Sequence, residues 1–258
     1  MDASRTTRKF IFVAGLHRCG TTLLANMLAA HPDISGFSST GEKMDEGQYL
    51  QSVYPSAGMR GGDAVGRLGF DPFAYLTEKS RLASDDNADR LFGDWARYWD
   101  LSKPALIEKS PPNIIRMRYL QASFPDSHFI LIARHPVAAS VATKKWCRMN
   151  PVSGIIANWA VCYGRALKDA ARLKSFSIVR YEDLVRDPEA VLKPLTDRIG
   201  LAPLPTAPAG VRDDLNRKYF DEWNRRLRDP REKAMAMLVR PFAERVGEKF
   251  GYSFDEAL

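Results

Sequence analysis

A chain of 258 residues is about as long as one hydrophobic core can serve, so one compact domain over 1–258 is the expectation. A hydrophobic share of 45% and a charged share of 27% are ordinary for a globular protein, and the net charge of +7 favours polyanionic partners without choosing among nucleotide, nucleic acid and membrane surface. Cys19, Cys147 and Cys162 are odd in number and lack paired metal spacing, which speaks against a disulfide framework or a zinc site and for reduced thiols.

The first apolar run, Phe10 to Gly15, is too short for a signal peptide or a membrane span, so a cytoplasmic protein is expected. Within it FIFVA is uninterrupted and stopped by Gly15, the pattern of a strand buried on both faces. TTLLANMLAAH follows, with helix formers at near-3.6 spacing up to Pro32. The glycine-rich stretch 40–71 has little periodicity and predicts an active-site loop or lid. Ala105 to Glu108 and His128 to Ala133 are further buried strands, followed by helical patterns over Pro112 to Ser123 and Pro136 to Trp146. Ser175 to Tyr181 is a fourth strand, again before a helical run, and Val211 to Phe250 is helical and charged. Strands alternating with helices predict an α/β fold: a parallel sheet of about four to five strands flanked by helices, with a helical C-terminal part over 211–258.

Between the first strand and helix lies Gly15-Leu16-His17-Arg18-Cys19-Gly20-Thr21-Thr22, the frame of a phosphate-binding loop. Its glycines let successive backbone N–H groups turn toward one anion, and the helix N-terminus adds partial positive charge. Loops for magnesium triphosphates place lysine after the second glycine and end a neighbouring strand in aspartate. Here those positions hold Thr21 and Arg134. The loop therefore suits an anion met by side chains alone; no metal is expected.

These segments resemble the PAPS-dependent sulfotransferases, which use 3′-phosphoadenosine 5′-phosphosulfate (PAPS) as sulfuryl donor. GLHRCGTTLL is similar to their 5′-phosphosulfate loop, in the arginine-containing form of the protein-tyrosine sulfotransferases. FILIARHPVAASVATKKW resembles the 3′-phosphate segment, LIEKSPPNIIRMRYLQASFPDSHF the stretch before it, and IVRYEDLVRDPEAVL the later strand with a tyrosine near the adenine. The resemblance implies in-line, metal-free sulfuryl transfer to an acceptor hydroxyl, leaving 3′-phosphoadenosine 5′-phosphate (PAP). By the same resemblance Arg18, Cys19, Gly20, Thr21 and Thr22 cradle the 5′-phosphosulfate, and Arg134 takes the 3′-phosphate. The second 3′-phosphate contact is open, because the position of the family's serine holds Ala142; Ser140 and Thr143 are the nearby hydroxyls. Tyr181 would lie by the purine, and Lys218, in Asn216-Arg217-Lys218-Tyr219, would belong to a basic loop over the nucleotide.

By the same resemblance Lys109 stands beside the bridging oxygen and, as an ammonium donor, would stabilise the leaving group. The base is sought in TGEKMDEGQ, with Glu46 first and Asp45 and Glu42 behind it; His17 and His135 are also within the motifs. The acceptor is not legible, although Tyr49, Tyr54, Phe73 and Tyr75 fall where its pocket is expected. Two other readings compete: a small-molecule kinase on the same fold, and a non-catalytic polyanion-binding module. The second would use Arg217-Lys218, Arg225-Arg226 and Arg228, yet Asp213, Asp214, Asp221, Glu222 and Asp229 flank them, so a nucleic-acid partner is not expected.

Overall fold

The computed structural model describes residues 5–57, 65–204 and 216–257. In chain order it runs β1 (Lys9–Ala14), α1 (Thr21–Ala29), β2 (Ile34–Ser35), α2 (Asp85–Ala96), β3 (Ala105–Lys109), α3 (Met117–Ser123), β4 (Ser127–Ala133), α4 (Pro136–Thr143) and α5 (Val152–Ala170). Then follow β5 (Phe176–Arg180), α6 (Tyr181–Arg186), α7 (Pro188–Ile199), α8 (Arg217–Arg226) and α9 (Pro230–Gly247). The strands form one five-stranded, all-parallel sheet in the order β2-β3-β1-β4-β5.

Alternation along β1 shows why its apolar run is continuous. Phe10 and Phe12 enter one core with Trp95, Phe124 and Phe129, while Ile11 and Val13 enter another with Leu24, Leu28, Ile130 and Ile132. A parallel strand covered on both faces needs apolar side chains at every position. The four expected strands are present within a residue or two of their expected bounds. The additional β2 is a two-residue edge strand, too short to leave a pattern.

Two expected helices are interrupted. Over 112–123 a 3₁₀ turn, Pro111–Ile115, precedes α3, and the break falls at Arg116, whose φ of −133° is not helical. The expected helix from Pro136 ends at Thr143 and tightens into a 3₁₀ turn, Lys144–Trp146. Helix α5, packed against α4 and α9, had no counterpart in the sequence reading, and neither had α2. Of the C-terminal helical stretch, 211–215 lies outside the described residues, as do 58–64 of the glycine-rich loop. Among the described residues no helix is long and apolar enough to cross a membrane.

The register fixes what meets at the carboxyl edge. Val13 pairs with Lys109 across β1 and β3, Ala14 with Leu131 across β1 and β4, and Ala133 with Arg180 across β4 and β5. Connections leave β1 toward β2 and β3 on one side and pass to β4 and β5 on the other. That reversal of strand order is where open α/β sheets bind ligands, outside the carboxyl ends of the strands.

Candidate active site

Four strand ends supply the site. After β1 the loop turns through Arg18, whose φ of 66° is left-handed, and Gly20, at φ 97°. Gly20 is also required by space, since a Cβ there would lie 2.5 Å from Cδ2 of Tyr181. Cys19 N donates to Leu16 O (3.2 Å), closing the turn, and Leu24 N to Gly20 O (3.0 Å), opening α1. The first-turn N–H groups of α1 have no acceptor within the helix, and Gly20 has no side chain to cap them. They are therefore offered, with the helix dipole, to an anion. Thr21 is buried and Thr22 partly so. The Cys19 thiol is fully buried and pushed up to about 11, so it belongs to the packing of the loop.

On the β3 side, Lys109 and Glu46 are brought together. Both are buried, at 5% and 6% exposure, and Lys109 Nζ lies 3.5 Å from Glu46 Oε1 while donating to Met44 O at 2.8 Å. Burial raises the Glu46 carboxyl above its ordinary value, and the Lys109 charge and a hydrogen bond from Gln48 oppose the rise. Lys109, in the same dry surroundings, is lowered by burial against the pull of Glu46, Glu108 and Asp45. Asp45 behaves differently. Its Oδ1 accepts from Thr40 N (2.8 Å) and Thr40 Oγ1 (2.7 Å), and those bonds hold its carboxyl below the usual range. Glu42 is exposed. Of the three acids only Glu46 combines burial, ion pairing and a raised proton affinity. Met44 and Asp45 both adopt left-handed backbone, at φ 56° and 48°, which bends the turn so that the Met44 carbonyl faces Lys109.

The Glu46 turn is anchored by groups the sequence reading did not single out. Glu108 is 1% exposed, and its Oε1 accepts from Gly47 N (3.1 Å) and Ser110 Oγ (2.5 Å) while its Oε2 accepts from Asn113 Nδ2 (2.6 Å). Burial pushes its carboxyl up to about 7 despite those donors. Trp95 Nε1 donates to Gly47 O (2.9 Å), and Gln48 N to Ser110 Oγ (2.9 Å). Gln48 Nε2 then donates to Glu46 Oε2 (2.5 Å). Lys109, Thr22, Asp45 and Met44 line one cavity of about 210 Å³ between α1 and this turn.

On the other side, Arg134 follows β4 at 4% exposure. Its Nε and Nη2 donate to Asn216 Oδ1 (2.9 and 2.7 Å), and its Nη1 to Arg18 O (3.2 Å). The guanidinium carbon lies 4.5 Å from the ring centre of Tyr181 and 5.0 Å from that of Tyr219. Burial acts to raise the Tyr219 hydroxyl, but Arg134, Lys218 and Arg18 outweigh it and bring the group down. Lys218, exposed, sits 5.0 Å over Tyr219, and Arg18, also exposed, 5.4 Å over Trp146. Three cations thus surround one aromatic pair. Glu182, the residue after Tyr181, accepts from His135 N (3.1 Å), Asn216 Nδ2 (2.8 Å) and Tyr252 OH (2.7 Å) and ties α4, α8 and the C-terminal turn together.

The remaining candidates are placed elsewhere. Ser140 lines a small cavity with His17, Asn158 and Trp159, its hydroxyl without a partner, and Thr143 Oγ1 donates to Ala139 O (2.7 Å) and His17 O (3.4 Å). His17, lowered to about 4 by burial and the Lys109 charge, is a poor base at neutral pH. His135 caps α4, accepting from Val137 N at Nδ1 (3.3 Å), with Nε2 bound to Ser253 O (2.9 Å). Among the described residues no group of three or more His, Cys, Asp or Glu is arranged to hold a metal ion.

A parallel sheet with an uncapped helix N-terminus at its switch point, a lysine at one flanking strand end and an arginine after the other, defines an α/β protein whose carboxyl edge gathers groups suited to an anion. The chain belongs to the Sulfotransferase family, whose model matches residues 11–205. Two solved structures have the same fold over nearly the whole chain. The sulfotransferase domain of the Synechococcus PCC 7002 olefin synthase is 22% identical with a TM-score of 0.57, covering 97% of each chain. The sulfotransferase domain from the curacin biosynthetic pathway is 16% identical, also at 0.57, covering 96% of this chain and 99% of that one. Nodulation protein NoeE of Sinorhizobium fredii (strain NBRC 101917 / NGR234) is 26% identical over 136 residues. That match takes in 52% of this chain and 30% of the curated relative.

Proposed function

We propose that this sulfotransferase takes PAPS as its donor and moves the sulfuryl group to a hydroxyl of its acceptor. The observation that carries the reading is the division of the carboxyl edge into two halves. Arg18, Arg134 and Lys218 converge on Tyr181 and Tyr219 at one side of the α1 N-terminus, and the buried Lys109–Glu46 pair lies at the other. The first half fits an adenosine carrying phosphate at both ends. Arg134 already directs two donors at one oxygen, Asn216 Oδ1, which a 3′-phosphate oxygen would replace. The second half fits transfer.

When bound, PAPS supplies an activated S–O bond. Glu46 accepts the proton of the acceptor hydroxyl, whose oxygen forms a new bond to sulfur as the bond from sulfur to the phosphate oxygen breaks. Lys109 exchanges its contact with the Met44 carbonyl for the departing oxygen and balances the charge gathering there. Gln48 holds Glu46 in orientation, and the α1 N–H groups hold the phosphate. The protein works by positioning and electrostatics, as in phosphoryl transfer. Residues 40–57 carry the base and act as a loop beside the site within a single domain. Three buried cysteines suit a reducing cytoplasm.

The test is thermal-shift titration with PAP beside ATP and magnesium. Stabilisation by PAP with little response to ATP is expected, and a protein at 100 times the dissociation constant gains about 2.7 kcal/mol. Selective stabilisation by ATP and magnesium would favour the kinase reading instead.

A further inference from the structure

We propose that the large groove beside the Glu46 turn is the acceptor site and that it selects hydroxyl compounds with an apolar body and an acidic group, the acid being read by Arg116. This rests on the sulfotransfer reading and specifies its unknown half.

The groove measures about 830 Å³, within the range of sites for small organic ligands. Tyr54, Leu68, Phe73, Leu76 and Val239 are among its lining residues. Several large apolar side chains of this wall stand in solvent: Phe73 is 72% exposed, Phe70 55% and Met235 42%. Single exposed hydrophobics are unremarkable, but several around one concavity mark a surface meant to be covered. The wall of the groove is hydrogen-bonded to the base through Gln48. Ala57, in its wall, donates from its backbone N to Gln48 Oε1 (2.9 Å), and the same amide donates to Glu46 Oε2 (2.5 Å).

Arg116 gives the groove its chemistry. It sits in the break between the Pro111–Ile115 turn and α3 and is 3% exposed, yet it lines the groove. Nε donates to Ala74 O (3.4 Å), Nη2 to Pro55 O (3.2 Å), and the guanidinium lies 4.5 Å from the Tyr54 ring centre. Nη1 is buried without a hydrogen-bond partner, and no carboxylate of the described residues is in ion-pair contact with the group. Burial lowers its proton affinity, and Tyr54 first and then Glu108, through space, oppose the fall, yet a guanidinium stays charged. A buried cation met by carbonyls and the Tyr54 side chain, with no carboxylate in contact, is incompletely compensated. An entering carboxylate or similar anion supplies the missing countercharge. Arg67, exposed on the same wall, adds a second cation, and Asp71 is the acid among the lining residues. An apolar groove with a buried arginine fits one amphipathic acid, with its hydroxyl presented toward Glu46.

The experiment compares ω-hydroxy fatty acids with α,ω-diols of equal carbon number, by calorimetric titration into the PAP-saturated full-length protein. A charge-assisted hydrogen bond predicts that the acid binds about tenfold tighter or more. Arg116→Gln should bring the acid-to-diol ratio to about one. Because Arg116 also holds two loop carbonyls, the ratio in the unaltered protein is the primary readout, and Val239→Trp, which fills the groove from α9, is the second variant. It should weaken acid and diol together. Equal binding of acid and diol, no binding of either, or unchanged binding in Val239→Trp overturns the proposal. Failure of PAP itself to bind is the separate sign that the donor reading is wrong.

Discussion

Replacing Gly47 by alanine tests the anchoring of the Glu46 turn. Gly47 has no left-handed backbone, so alanine meets no conformational obstacle of its own; the obstacle is Glu108. A Cβ at position 47 would lie 2.5 Å from Glu108 Oε1, 2.6 Å from Cγ and 2.8 Å from Cδ. Glu108 cannot simply swing aside, because Ser110 and Asn113 hold its two oxygens and Gly47 N itself donates to it. Overpacking of this kind costs about 1–3 kcal/mol, and loss of a hydrogen bond to a charged group about 1.5–3 kcal/mol. Because one displacement causes both, a loss of about 2–5 kcal/mol is expected in urea unfolding followed by tryptophan fluorescence. The same change in a Glu108→Ala background removes both the collision and the bond at risk, so most of that cost should disappear and the two substitutions should be clearly non-additive. Turnover should fall in Gly47→Ala even where the protein is folded, since Glu46 precedes the displaced residue. An equal cost in both backgrounds would refute the argument that Glu108 positions the turn.

Lys109→Ala should reduce turnover by about 10²–10³ while PAP affinity stays within a few-fold, and near-normal turnover would remove the lysine from the mechanism. For Glu46, the base is active when deprotonated and its proton affinity is raised by burial, so kcat/KM should fall as pH drops through a value above the ordinary carboxylate range. Glu46→Gln should abolish that limb together with most of the activity. Lys109 opposes the rise, so Lys109→Ala should move the limb to still higher pH in its residual activity; a shift to lower pH would contradict the pairing.

Elements covered on both faces were legible. The strands β1, β3 and β4 stand out as apolar runs because a parallel sheet covered on both faces leaves little room for polar residues, whereas β5, at the sheet edge, is buried only in alternation. The helix α5 does not stand out, because it carries Gly154 and Gly164 with many β-branched or aromatic residues, and its stability comes from packing between α4 and α9 rather than from propensity. The placing of Arg18, Lys109 and Arg134 at the carboxyl edge was readable because each is fixed to a strand end by local sequence. Glu108 and Gln48 were not, since their partners lie 61 residues away for the Gly47–Glu108 bond and 62 for Gln48–Ser110. The same holds for Asn216, 82 residues from Arg134. No spacing rule connects such pairs before the sheet brings them together.

The division of the carboxyl edge has a consequence for how such a protein changes over generations. The groups at the carboxyl edge of the sheet are set in strand termini and the helices that follow, where any shift propagates through the core, whereas the groove is walled largely by the segments 54–57 and 65–76, which connect rather than support. Substitutions there can accumulate without touching the groups set in the sheet. One ancestral framework can in this way furnish enzymes that share a reagent and differ in what they decorate.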